Sequence, residues 1–156
     1  MRIGFGSDKA GNGLKNCLLG YLSEKGYECI DLTEGKAEEA PDYPLAGILV
    51  AEAIRRKEAD KGILICGTGA GVSIAANKVP GIRAAVCSDC YTARMLTEHN
   101  QCQIIALGQR VVGKELAKMI VDSFLEAKPL GGRHTQRVDM ISRIEEEYAS
   151  KLYKKH

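Results

Sequence analysis

No run of apolar residues in this 156-residue chain approaches the length of a membrane span, and no apolar stretch with a cleavage site follows Met1-Arg2. Neither a bilayer-spanning nor an exported protein is expected, and the cytoplasm is the expected compartment. An excess of charge is also missing. With 22 Lys and Arg against 20 Asp and Glu, the formal net charge is +2, which argues against nucleic acid or an anionic membrane as partner and leaves small anions open. There is no internal repeat, no low-complexity tract and no linker. At this length, with 45% hydrophobic residues, one domain covering residues 1–156 around a full core is expected. Six cysteines without an export signal read as reduced thiols, with Cys17 and Cys29 placed as small hydrophobes on a helix and a strand.

Several nucleotide and phosphate signatures are absent as well. The spacing from Gly6 to Gly11 begins like a P-loop, but Asn12-Gly13 stand where Lys-[Ser/Thr] would have to follow. A dinucleotide fingerprint would need glycine where Lys9 or Val72 stands. A cysteine phosphatase built on Cys66 would need arginine at Val72. Cys87, Cys90, His99 and Cys102 make a poor zinc tetrad, because Cys90 and His99 fall at opposite ends of a predicted helix, roughly 13 Å apart at the standard rise.

What is present is a regular alternation of strand and helix, the mark of a parallel sheet with helices on its faces. Strands are predicted at 2–6, 28–32, 62–66, 82–87 and 103–107. Helices carry the stripes Leu14, Cys17, Leu18, Tyr21, Leu22 and Leu116, Ala117, Ile120, Val121, Phe124, Leu125. Gly26 closes the first helix. Asp42-Tyr43-Pro44 opens one that runs to about Lys57, and Ser88-Asp89 cap one ending near His99-Asn100. An acidic loop follows the second strand. Beyond Gly131-Gly132, the stripe Val138, Ile141, Ile144, Tyr148, Leu152 outlines a last helix with no strand after it, which packs either on a partner subunit or on its own domain. The fold class expected is a three-layer α/β/α sandwich with a five-stranded parallel Rossmann-like sheet and an appended C-terminal helix.

Ligands of such sheets bind outside the carboxyl ends of the strands. Those ends carry Ser7-Asp8-Lys9, Cys66 and its glycine turn, Ser88-Asp89 and Gly108-Gln109-Arg110, while a helix end adds His99-Asn100. The Cys66 turn is the most informative. A buried strand ends on a thiol, and Gly67-Thr68-Gly69-Ala70-Gly71 lets main-chain amides converge on an anion at the start of a helix. A thiol beside such amides is expected to ionise more readily than a free cysteine. His99-Asn100 also reads as an ordinary helix C-terminal pair. Arg133, His134 and Arg137 read either as a solvated basic face or as an anion site, since guanidinium forks match phosphate oxygens.

Gly6-Ser7-Asp8-Lys9-Ala10-Gly11, Leu14-Lys15, Asp42-Tyr43-Pro44, Ile65-Cys66-Gly67-Thr68-Gly69, Ile74-Ala75-Ala76-Asn77-Lys78, Glu98-His99-Asn100 and Gly131-Gly132-Arg133-His134 together resemble the type B ribose-5-phosphate isomerases and their galactose-6-phosphate isomerase relatives. The resemblance spans essentially the whole chain. It implies a metal-free, cofactor-free aldose-ketose isomerase acting on a sugar phosphate through a cis-enediolate. Cys66 would be the base, Thr68 would steady the sugar, and the amides of Gly67, Gly69, Ala70 and Gly71 would hold the enediolate oxygen. Asp8 and His99 would take part in ring opening, and Asn100 would bind the reacting end. Tyr43 would line the pocket, and Arg110, Arg133 and Arg137 would bind phosphate. It further implies a homodimer, or a tetramer, whose sites combine residues of two subunits. Lys9 departs from the pattern, because type B enzymes usually carry histidine there; a lysine serves better as a fixed cation than as a proton shuttle. Ribose 5-phosphate and ribulose 5-phosphate are the expected pair. The alternatives are a six-carbon sugar or sugar phosphate of the galactose 6-phosphate or allose 6-phosphate type, and a non-catalytic sugar-phosphate-binding protein.

Overall fold

Five parallel strands form one sheet in the order β2-β1-β3-β5-β4. They are β1 (Arg2–Ser7), β2 (Glu28–Asp31), β3 (Lys61–Cys66), β4 (Ala84–Val86) and β5 (Ile104–Gly108). The structure is a computed structural model and describes residues 1–35 and 39–153, the last two by backbone alone. Part of the acidic loop expected after the second strand lies outside the described residues. Among the described residues six α-helices connect or follow the strands: α1 (Asn12–Glu24), α2 (Tyr43–Arg55), α3 (Ala70–Ala76), α4 (Cys90–Glu98), α5 (Lys114–Glu126) and α6 (Arg133–Tyr153). Among the described residues no helix is long and apolar enough to cross a membrane.

Alternation along the strands divides the core in two. Ile3, Phe5, Ile63, Ile65, Ile105 and Leu107 face α1, α4 and α5, whereas Leu64, Cys66, Ile104 and Ala106 face α2 and α3. On α1 the buried residues Leu14, Leu18 and Leu22 recur every four positions, and each is 3% exposed or less. Helix α2 crosses α3 closely, for a Cβ on Gly47 would stand 2.7 Å from the Val72 carbonyl oxygen. The expected elements are present with shifted ends. The fourth strand is three residues rather than six, and at this sheet edge the Asn77 side chain does the pairing: its Oδ1 accepts from Ala84 N–H at 2.9 Å and its Nδ2 donates to Ala84 O at 2.7 Å. Asp42 occupies the N-cap of α2 without a side-chain hydrogen bond, whereas Asp89 caps α4 by accepting from Thr92 N–H at 2.7 Å.

Helix α6 runs across the amino-terminal edge of the sheet. His134 and Val138 are buried against the body, and Glu145 Oε2 accepts from Gly81 N–H at 2.8 Å. Met140, Ile141, Ile144 and Tyr148 are 49–63% exposed. Of the predicted stripe, therefore, only Val138 packs on its own chain; the side chain of Leu152 lies outside the description. Cys17 and Cys29 are half-buried, and all six thiols are free.

Candidate active site

The strand order reverses between β1 and β3, because β1 pairs with β2 on one side and β3 on the other. Asp8 and Cys66 sit just past or at the carboxyl ends of these two strands, where open α/β sheets receive ligands. Asp8 Oδ1 accepts from Gly11 N–H at 3.0 Å and so closes a single 3₁₀ turn, Lys9–Gly11, before α1. Behind it, the fully buried Lys15 ammonium bonds Asp31 Oδ2 at 2.7 Å, and Thr33 Oγ1 accepts from Ser7 N–H at 3.0 Å. A buried ion pair thus anchors the end of β1.

Cys66 is buried but not sealed, with 6% of its surface exposed. Its Sγ accepts from Gly69 N–H at 3.1 Å. The turn depends on Gly69, whose φ of +84° is left-handed and whose Cα lies against the Ala106-Leu107 backbone, so that a Cβ would come within 3.0 Å. Thr68 is exposed, and its Oγ1 accepts from Ala70 N–H at 3.2 Å. Two side chains roof the turn. A Cβ on Gly67 would be 3.3 Å from Arg110 Nη1, and one on Gly71 would be 2.7 Å from the Tyr43 ring. The β5 end is locked to the same turn, because Gln109 N–H donates to Cys66 O at 2.9 Å and Arg110 N–H to Gly67 O at 3.1 Å.

An open cleft of about 650 Å³ adjoins these residues, lined by Asp8, Lys9, Asp42, Gln109 and Arg110 among others. It offers two cations and two carboxylates to a polar ligand. Cys66 is not on its wall, but Arg110 belongs to both the cleft and the roof over the thiol's turn. Gln109 is a site residue that the sequence reading places at a strand end without a role: its Oε1 accepts from Leu14 N–H at 2.7 Å, tying the fifth strand to the start of α1. Its place at a strand end was the available signal.

His99, Asn100, Arg133 and Arg137 lie elsewhere. Helix α4 starts beyond the carboxyl end of β4 and runs back, so its end falls at the amino-terminal edge of the sheet. From Ile104, just past the His99 turn, to Gly108, which pairs with Cys66, β5 makes four steps, about 13 Å. The expectation that a helix end adds His99-Asn100 to the strand-end site is therefore not met within one chain. At its own edge His99 stacks on His134, with ring centroids 4.1 Å apart and planes 3° off parallel. Burial first, and then neighbouring His99, Arg133 and Arg137, hold the His134 imidazole below its ordinary pKa. Arg133, Arg137 and Asn100 are exposed beside this stack. The predicted site residues thus fall into two clusters, a thiol end and an imidazole-guanidinium end. Asp89, the remaining strand-end candidate, is occupied as the cap of α4.

Known proteins match this chain over nearly its whole length. The Ribose/Galactose Isomerase family matches residues 3–141. Ribose-5-phosphate isomerase B of Escherichia coli is 51% identical over 145 residues, covering 93% of this chain and 97% of that protein. D-erythrulose-4-phosphate isomerase of Pectobacterium atrosepticum is 43% identical, covering 93% and 95%. The structure of Clostridium thermocellum ribose-5-phosphate isomerase B superposes with a TM-score of 0.92 at 55% identity, covering 95% of this chain and 99% of that one. A thiol on a buried strand, held by a glycine-turn amide in a fold of this topology, accompanies a match over nearly the full length. The chain belongs to the ribose/galactose isomerase family and is a sugar-phosphate isomerase.

Proposed function

We propose that this single-domain chain interconverts ribose 5-phosphate and ribulose 5-phosphate, with Cys66 as the base. The Cys66 thiolate removes the proton from C2 of the open-chain aldose, and the C–H electron pair becomes the C1=C2 bond of a cis-enediolate as the carbonyl π pair moves onto O1. Return of that proton from sulfur to C1, as the O2 proton passes to O1 and the O2 lone pair forms the C2 carbonyl, leaves the ketose. The sulfur keeps no proton at the end of the cycle and no cofactor is consumed. The observation that carries this reading is the Gly69 N–H bond to Sγ, which holds the sulfur at the glycine turn beside main-chain donors. Neighbouring turn amides are the natural donors to the enediolate oxygen. Arg110 and Lys9 supply cations at the cleft, and Tyr43 covers the turn from the other side.

The second cluster enters from another copy. His99 would handle hydroxyl protons with Asp8, Asn100 would bind the reacting end, and Arg133 and Arg137 would hold the phosphate of a substrate seated on a partner's Cys66. The separation of the two ends supports a homodimer with shared sites, as do the exposed apolar residues Met140, Ile141, Ile144 and Tyr148 on the helix that bears the arginines. The test is a side-by-side assay of four-, five- and six-carbon aldose phosphates and the free sugars. Ribose 5-phosphate should give the highest kcat/KM; a higher value for a six-carbon substrate would overturn the assignment. In deuterated water the C2 position of ribose 5-phosphate should exchange, and binding without exchange would identify a sensor.

A further inference from the structure

The turn that presents His99 and Asn100 is held from behind by two cations. Arg83, immediately before β4, donates from Nε to Asn100 O at 2.9 Å and from Nη2 to Gln101 O at 2.8 Å. Lys61, at the start of β3, donates from Nζ to Cys102 O at 2.6 Å. Three successive carbonyls are thereby drawn inward, and Gln101 is forced into a left-handed conformation, φ +49°, that a non-glycine residue adopts only at a cost. The main chain of Arg83 is itself fixed: its N–H donates to Gln103 Oε1 at 2.8 Å and its carbonyl accepts from Gln103 N–H at 3.1 Å. Outward, Gln101 Nε2 donates to Thr135 Oγ1 at 2.9 Å, next to His134, whose ring stacks on His99. Arg83 therefore sits at the root of a connected unit that ends in Asn100 and His99 and reaches α6.

We infer that Arg83 is a positioning residue for the isomerase reaction, setting the reach of Asn100 toward substrate by clamping the Asn100 and Gln101 carbonyls; this rests on the proposed role of Asn100. A planar fork with two N–H groups at fixed spacing suits two adjacent carbonyls, and neither lysine nor a neutral side chain reproduces it. The left-handed turn explains why a clamp is needed, since a strained turn without its partners relaxes toward another conformation.

The experiment is a double-mutant cycle on ribose 5-phosphate turnover with Arg83→Met, Arg83→Lys and Asn100→Ala, each variant checked for its unfolding midpoint. Turnover of this substrate by the wild-type protein, measured first, tests the functional reading alone. Arg83→Met should lower kcat/KM about 10- to 100-fold, the scale of a misplacement near 1 Å, and Arg83→Lys should restore part of it. Combined with Asn100→Ala, the arginine change should cost little beyond the Asn100→Ala loss, because both act through one side chain. Additive losses, or wild-type kcat/KM in Arg83→Met, would overturn the inference. If Arg83→Met does not fold, the same non-additivity is read from Arg83→Lys, whose retained cation keeps the carbonyls partly paired. An Asn100→Ala variant with wild-type turnover would remove the functional reading of Asn100 and this inference with it.

Discussion

Separation of the thiol and imidazole clusters makes a quantitative prediction about mixed assemblies. Proton transfer needs reacting atoms within about 3 Å or one bridging water, whereas the ends of β5 that mark the two clusters lie about 13 Å apart along a rigid strand. No side-chain motion brings His99 to the Cys66 of its own chain. Cys66→Ala and His99→Gln should each abolish activity alone, since every site then lacks one group. In a hybrid dimer, however, one site pairs the intact Cys66 of one chain with the intact His99 of the other, while the second site lacks both. Random reassortment yields hybrids as half of all dimers, each with one working site of two, so the mixture should recover about a quarter of wild-type activity in a two-fold symmetric assembly. The assay is ribose 5-phosphate turnover after mixing the variants in equal amounts under mild denaturant and refolding, with differently tagged chains to confirm exchange. Tag-verified hybrids without recovered activity, or an active monomer, would refute the shared-site reasoning.

Four further outcomes follow from particular contacts. Gly71→Ala should preserve the fold, because α3 accepts alanine, yet raise KM about tenfold by pushing the Tyr43 ring from its place 2.7 Å from the new Cβ; steady-state kinetics and circular dichroism separate the two effects. Lys15→Met should destabilise the protein by about 3 kcal/mol in urea unfolding, since it leaves the mostly buried Asp31 carboxylate without its partner. Lys57 stands at the left-handed position, φ 61°, after α2, with Glu58 N–H bonded to Ala53 O and Lys57 N–H to Ile54 O, so Lys57→Gly should raise stability by about 1 kcal/mol. Burial lowers the Lys61 ammonium to about 8; between that value and its unfolded pKa the unfolded chain binds the extra proton, so stability should rise with pH across this window and Lys61→Met should flatten the rise in pH-dependent unfolding.

The thiol cluster was readable from the chain because its signals are local. Val72 and the glycines around Cys66 excluded phosphatase and dinucleotide chemistry by position alone, and the strand-to-helix change placed the thiol at a sheet end. Gln109 was half visible, its strand-end position recognisable and its bond to Leu14 not. Arg83 carried no motif at all: its function depends on carbonyls 17 and 18 residues away, which only the return of the chain through α4 brings into reach.

Periodicity and turn chemistry alone determined that this chain builds a parallel five-stranded sheet with a nucleophile-grade thiol at the end of its third strand, because burial patterns and glycine turns are written in residues a few positions apart. Which end of the sheet each polar cluster occupies was decided only by tertiary structure. The direction in which α4, α5 and α6 cross the layers depends on packing between distant segments, and that packing sets His99 and the α6 arginines on the edge opposite Cys66.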